Sequence, residues 1–182
     1  MAHSLLKLLL VSSLLLLSTG GLYIEDASVA SETPFARHAT FVPTKVTPKD
    51  VQCLTRAIYY EAGNQSRAGK EAVALVIINR VTNARYPNSI CGVVTQSFLI
   101  NEKRICQFSF HCEDHRGIHR ATWNESYFLA KRILTNTFDR AILSRVNDAL
   151  YFHAAYVHPR WSKQKVFVTT IDHHLFYKEP RT

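Results

Sequence analysis

Acidic residues are scarce in this chain. Fourteen Asp and Glu stand against 22 Lys and Arg among 182 residues, a formal charge of +8 with the nine histidines neutral. Such a balance suits a polyanionic partner, whether nucleic acid, a membrane surface or an anionic wall polymer, and alone favours none of them. Clustering is missing too: Lys and Arg are spread along the chain and no nucleic-acid-binding motif is present, so nucleic acid is not the expected partner. No internal repeat is visible, which excludes a solenoid or propeller. Nor does any apolar run reach the length of a comfortable membrane span, because Ser18-Thr19-Gly20-Gly21 interrupts the N-terminal one. What is present is a 47% apolar composition at one domain's length, enough to bury a real core.

The N-terminus reads as a targeting segment. Lys7 leads into an apolar core over residues 8–17, and Ser28-Val29-Ala30 offers the small residues a signal peptidase reads. Residues 1–30 are therefore expected to be a signal peptide, with an uncleaved anchor as the alternative. Cleavage would leave 21 basic against 12 acidic residues, a charge of +9. Residues 31–46 carry Pro34 and Pro43 among small polar residues and read as a flexible linker, so the folded domain is expected over residues 47–178. In an oxidising compartment the even set Cys53, Cys91, Cys106 and Cys112 implies two disulfides. Three pairings are open. Joining Cys106 to Cys112 closes a short loop and leaves Cys53 for Cys91.

The first helix begins at Thr47-Pro48-Lys49-Asp50, where Thr47 can cap, Pro48 suits the first turn and Asp50 completes a variant capping box. Its apolar stripe, Val51, Leu54 and Ile58, runs on into Glu61 instead of leaving that carboxyl in water. Gly63 predicts a left-handed C-cap, which places Glu61 in the last turn at the negative end of the helix dipole. Burial and dipole both raise a carboxyl pKa, the condition for a glutamic acid that stays protonated near neutrality and serves as a general acid. After a polar turn at Asn64-Gln65-Ser66, the centre of residues 70–81 is apolar all round. Their length without Gly or Pro favours a buried helix over a buried strand. Asn79 within that run needs a partner, either a backbone carbonyl or the active carboxyl.

Residues 106–115, Cys106-Gln107-Phe108-Ser109-Phe110-His111-Cys112-Glu113-Asp114-His115, alternate apolar with polar. The spacing predicts an extended strand with Gln107 and Ser109 on one face and the two phenylalanines on the other. Amide and hydroxyl groups beside aromatic rings suit a sugar site. Residues 123–135 predict a helix with Tyr127, Ala130 and Leu134 in its stripe. Residues 166–171 predict a strand that Asp172-His173 turns back into His174-Leu175-Phe176-Tyr177.

The motifs Ala57-Ile58-Tyr59-Tyr60-Glu61-Ala62, Gly69 with Ala72-Val73-Ala74, and Asn79-Arg80-Val81 resemble the SleB-type cell-wall hydrolases. Further matches follow in the same order: Tyr86-Pro87, Cys91-Gly92-Val93-Val94-Thr95-Gln96, Cys106-Gln107-Phe108-Ser109-Phe110, Leu150-Tyr151-Phe152-His153-Ala154 and His174-Leu175-Phe176-Tyr177. The similarity covers about residues 50–178. It implies an α+β fold, a mainly helical lysozyme-like domain with a small antiparallel sheet. It also implies cleavage of peptidoglycan between N-acetylmuramic acid and N-acetylglucosamine, in the manner of a lytic transglycosylase. The catalytic acid maps onto Glu61, and Asn79, Gln107, Phe108, Ser109, Tyr151 and His153 fall in motifs expected to bind substrate. No cofactor or metal is implied. A monomer acting on the anionic envelope, periplasmic or outside the cell, is expected, and any regulatory partner stays unnamed. Two departures stand out. Asn64-Gln65-Ser66 replaces the usual Gly-Glu-Pro-like turn, and Asp172 stands where many relatives carry Gly.

The residues alone agree with a one-carboxyl reaction. A paired-carboxylate glycosidase needs a second acid, and Glu71, Glu113, Asp114 and Asp148 all sit in less apolar contexts than Glu61. Two other classes compete. A zinc-dependent hydrolase would draw on Cys106, Cys112, His115 and His119, whose spacing fits no standard finger. A non-enzymatic wall-binding module would use the positive charge alone.

Overall fold

The computed structural model describes residues 46–113 and 117–181. The expected signal peptide, nearly all of the linker, Asp114 and His115 lie outside the described residues.

Helix α1 spans Pro48–Ala62. Its capping box forms as the sequence predicts: the Thr47 hydroxyl accepts from the Asp50 N–H at 3.2 Å, and the Asp50 carboxylate accepts from the Thr47 N–H at 3.0 Å. Val51, Leu54, Ala57 and Ile58 face inward. Each large side chain buried this fully stabilises the fold by about 1.5–3 kcal/mol. Gly63 closes the helix, but in a right-handed conformation, φ −57° and ψ −29°, contrary to the left-handed cap predicted. Its requirement for glycine is close approach. A β-carbon there would stand 2.3 Å from the Tyr59 carbonyl oxygen and 3.3 Å from Thr122.

Helix α2 spans Arg67–Val81, and its apolar character all round has a direct cause. Ala74, Ile77, Ile78 and Val81 belong to one core cluster, with α1 and Phe108 and Phe110. Ala72, Val73, Leu75 and Val76 belong to a second. The helix is the wall shared by two cores, so it shows no polar face.

Helix α3, Ile90–Val94, is tied to α1 by the disulfide Cys53–Cys91; the other disulfide is Cys106–Cys112. Strands β1 (Ser97–Ile100) and β2 (Lys103–Cys106) form a hairpin. Its turn residues Asn101 and Glu102 both have positive φ, as a two-residue turn matching strand twist requires. The strand predicted through residues 106–115 ends at Cys106. After one more ladder bond, Gln107 N–H to the Gln96 carbonyl at 2.9 Å, the chain bends into a 3-10 turn at Ser109–His111. The predicted division of faces survives the change, since Gln107 and Ser109 are exposed and both phenylalanines buried.

Helix α4, Arg120–Leu134, packs across α1. Its buried stripe is Ser126, Leu129, Ala130, Ile133 and Leu134. Tyr127, expected in it, is 37% exposed. Helix α5, Arg140–Val146, was not foreseen from the sequence; Asp139 caps it by accepting from the Ala141 N–H at 2.8 Å. Strands β3 (Tyr151–Ala154), β4 (Val166–Ile171) and β5 (His174–Lys178) form an antiparallel sheet in the order β3-β5-β4. Phe176 and Ile171 carry it onto α2 and α5 in the second core. The β4–β5 turn is the predicted Asp172-His173. Its Asp172, at φ +49°, accepts from the Ser66 N–H at 2.8 Å, while the Gln65 side-chain oxygen accepts from the His173 N–H at 3.1 Å.

Serine at both Cys53 and Cys91 should lower the unfolding free energy by about 4 kcal/mol, because that bond bridges a separation of 38 residues. The same change at Cys106 and Cys112, six apart, should cost about 2 kcal/mol. Denaturant unfolding of the two double variants measures the difference.

Candidate active site

Glu61 is the penultimate residue of α1, half-buried, one turn beyond the fully buried Ala57 and Ile58. Loss of water around its carboxyl pushes the pKa from 4.5 up to about 7, with Arg80 opposing the rise and Glu113 adding to it. The C-terminal end of α1 disfavours the anion as well. The carboxyl is therefore poised to hold or release a proton near neutrality.

Arg80 reaches this region from α2 and is only 3% exposed. Its Nε donates to the Leu150 carbonyl at 2.8 Å, just before β3. The guanidinium carbon lies 5.3 Å from the ring centroids of both Tyr86 and Phe108. Burial pulls the guanidinium pKa down, and Tyr86, Tyr151 and Glu61 counter that pull. Its Nη1 is buried without a hydrogen-bond partner among the described residues.

Tyr151, at the start of β3, donates its hydroxyl proton to Glu179, and its pKa is pushed up by burial and by that bond. Glu179 is fixed in turn by Lys165 at 2.7 and 2.8 Å and by Arg85 at 2.7 Å. Lys165 above all holds its carboxyl down at about 2. Tyr151 is thereby anchored as a neutral phenol. His153, two residues along the same face of β3, stacks on the Tyr177 ring and meets Trp161 edge-on. Its Nδ1 lies 2.9 Å from the Ala154 carbonyl, which only accepts, so Nδ1 carries the proton and Nε2 accepts from the Tyr177 hydroxyl at 3.0 Å.

Beside the end of α1, Tyr59, Tyr60, Gly63, Asn64 and Thr122 line an open cleft of about 410 Å³. Tyr60 stacks on Phe110 at 4.9 Å, and Trp123 meets Tyr59 edge-on at 5.4 Å. Aromatic walls with amide and hydroxyl groups are the lining a sugar ring uses.

Two expected substrate residues take other positions. Phe108 is 3% exposed and lies against the Arg80 guanidinium, so its ring is core and not groove wall. Asn79 donates to the carbonyls of Asn147 at 2.6 Å and Ala149 at 3.0 Å, fastening α2 to the segment before β3. Gln107 and Ser109 stay exposed on the bend after β2. Among the candidate second acids, Glu71 is taken by Arg67 and by the Asp139 N–H, both at 3.2 Å, within the second core. The zinc reading loses three of its four donors: Cys106 and Cys112 are bonded to each other and His119 caps α4, while His115 lies outside the described residues. Sequence reasoning gave no role to Arg80, Tyr86 or Glu179. A lone arginine in the apolar run of α2 was a usable signal; Glu179 offered none.

The class is thus a small α+β domain built around one half-buried glutamic acid. The sequence pattern of the Cell Wall Hydrolase family matches residues 64–177, and the chain belongs to that family. The match begins three residues after Glu61. A spore cortex-lytic enzyme of Bacillus cereus is 39% identical over 61 residues, 34% of this chain and 24% of that protein, so the matched segment spans about a quarter of the curated relative. The catalytic domain of the germination-specific lytic transglycosylase SleB from Bacillus anthracis superposes with a TM-score of 0.56 at 25% identity, covering 75% of this chain and all of that one. The catalytic domain of Bacillus cereus SleB gives 0.53 at 25% identity, covering 76% and 97%.

Glu61 holds its proton more tightly in the folded state than in the unfolded one. Its contribution to stability is therefore complete below about pH 4.5 and is lost as pH rises through 7, a loss on the order of 3 kcal/mol. Glu61→Gln should resist denaturant better than the native protein at pH 8 and match it near pH 4, as unfolding curves at the two pH values will report.

Proposed function

We propose that this domain cuts the glycan strands of peptidoglycan between N-acetylmuramic acid and N-acetylglucosamine as a lytic transglycosylase, with Glu61 serving as both acid and base. The observation that carries the reading is the half-buried carboxyl at the end of α1, where loss of water raises its pKa to about 7. Family membership and the likeness to the SleB catalytic domains support it.

Protonated Glu61 gives its proton to the glycosidic oxygen as the bond to the anomeric carbon breaks, and the leaving sugar departs with a hydroxyl group. The carboxylate so formed takes the proton of the sugar's own 6-hydroxyl while that oxygen bonds to the anomeric carbon. Glu61 ends protonated, and the product carries a 1,6-anhydro end. Gln107 and Ser109 on the bend after β2, with Tyr151 and His153 on β3, are the proposed substrate contacts. The enzyme works outside the cytoplasm after export, its positive charge gathering it on an anionic wall. Among the described residues, no helix is long and apolar enough to cross a membrane. One observation favours a second reading: Glu113 acts electrostatically on Glu61 and is the candidate second acid should water be the nucleophile.

Mass spectrometry of fragments released from purified peptidoglycan by residues 31–182, with Glu61→Gln alongside, tests the assignment. Anhydro ends that disappear in the variant are expected; reducing ends would instead establish hydrolysis and turn attention to Glu113. Full activity in Glu61→Gln would end the proposal. Since the acid must start protonated, kcat/KM should fall as pH rises through about 7.

A further inference from the structure

We propose that Arg80 is the positioning residue that receives the Glu61 carboxylate in the interval between its two proton transfers. The inference rests on the one-carboxyl reading above and deepens it. Three features of Arg80 carry it. The guanidinium is almost completely buried, it is held in place by the Leu150 carbonyl and two aromatic rings, and it keeps one donor, Nη1, without a partner among the described residues. A buried cation with an idle donor is costly to maintain. A structural arginine in this position would be expected to satisfy that donor with a backbone carbonyl, as Nε does.

The reaction itself supplies the missing anion. When Glu61 passes its proton to the glycosidic oxygen, a negative charge appears on a carboxyl that burial disfavours, and Arg80 balances it. When that carboxylate takes the proton from the 6-hydroxyl, the charge disappears and Nη1 is idle again. Without Arg80, burial and Glu113 would make Glu61 a competent acid and leave a costly anion after the first transfer. Among the described residues, the charged groups acting on Glu61 are Arg80 from α2 and Glu113 from the segment after the 3-10 turn. Around Arg80 stand Tyr86 and Tyr151, and beyond them Glu179 with its own cations Lys165 and Arg85. The neighbouring carboxylate is therefore already matched, leaving Arg80 for Glu61.

The test is NMR of protein labelled with ¹⁵N-arginine and ¹³C-glutamate, followed from pH 5 to 9. The Arg80 guanidinium nitrogens should shift with the same midpoint as the Glu61 carboxyl carbon, and should stay flat in Glu61→Gln. Arg80 signals that do not move while Glu61 titrates overturn the inference. In activity, Arg80→Met should move the alkaline limb of kcat upward by about one pH unit or more, and Glu113→Gln should move it downward. A folded Arg80→Met protein with an unmoved limb also overturns it. If that variant does not fold, the titration of the native protein decides. Retained activity in Glu61→Gln, by contrast, strikes the proposed function itself, whatever Arg80 does.

Discussion

The constraint on which the rest of the structure depends is the withdrawal of Glu61 from water. A carboxyl at the end of a helix would ordinarily turn outward, where solvation and the helix dipole both favour exposure of the charge. Here the helix cannot turn. Its first turn is locked by the Thr47–Asp50 box, its middle is bonded to α3 through Cys53–Cys91, and its last turn abuts Thr122 of α4 through a glycine that leaves no room for a side chain. With the backbone fixed at the start, middle and end, the inward stripe that buries Ile58 carries Glu61 inward as well.

Helix α2 supplies the counterweight, and its place between two cores explains how. A helix with apolar neighbours on every side can bring a cation to the interior only if that cation is wrapped. Arg80 is wrapped by Phe108, Tyr86 and the Leu150 carbonyl. Asn79, its neighbour, ties the same helix end to Asn147 and Ala149. Together they fix β3 to α2, so the strand that presents Tyr151 and His153 has a set position relative to Arg80. Phe108 serves as core packing beneath the Arg80 guanidinium, and its ring is inaccessible to a substrate.

What the sequence made legible was carried by local signals. The capping box, the stripe ending in Glu61, the long apolar run of α2 and the Asp172-His173 turn each lie within a few residues of the feature they announce. The failures have physical causes as well. Alternation over residues 106–110 has the period of a strand, but a bend that continues into a 3-10 turn can expose and bury the same residues. Gly63 was read through the conformation glycine permits, whereas its use here is to lack a β-carbon. Helix α5 has seven residues, too few for periodicity to show. Arg80 and Glu179 draw their meaning from partners 70 and 94 residues away, Leu150 and Arg85. No window along the chain contains such a pairing.

The two departures from the family pattern turn out to touch. The resemblance to SleB-type hydrolases implies a Gly-Glu-Pro-like turn at 64–66 and, in many relatives, glycine at 172; a proline has no N–H and a glycine no carboxylate. In this chain the Ser66 N–H donates to Asp172, a bond that proline at 66 or glycine at 172 could not make. Asp172 holds a positive φ that glycine would adopt more easily, and the charge-assisted bond offsets that cost. Gly69 makes room for it, since a β-carbon there would lie 2.5 Å from the Asp172 oxygen. Gln65 adds a second tie to His173. The segment directly after Glu61 is thus clipped to the β4–β5 turn by these two bonds. They give the end of α1, and the carboxyl it carries, a fixed neighbour.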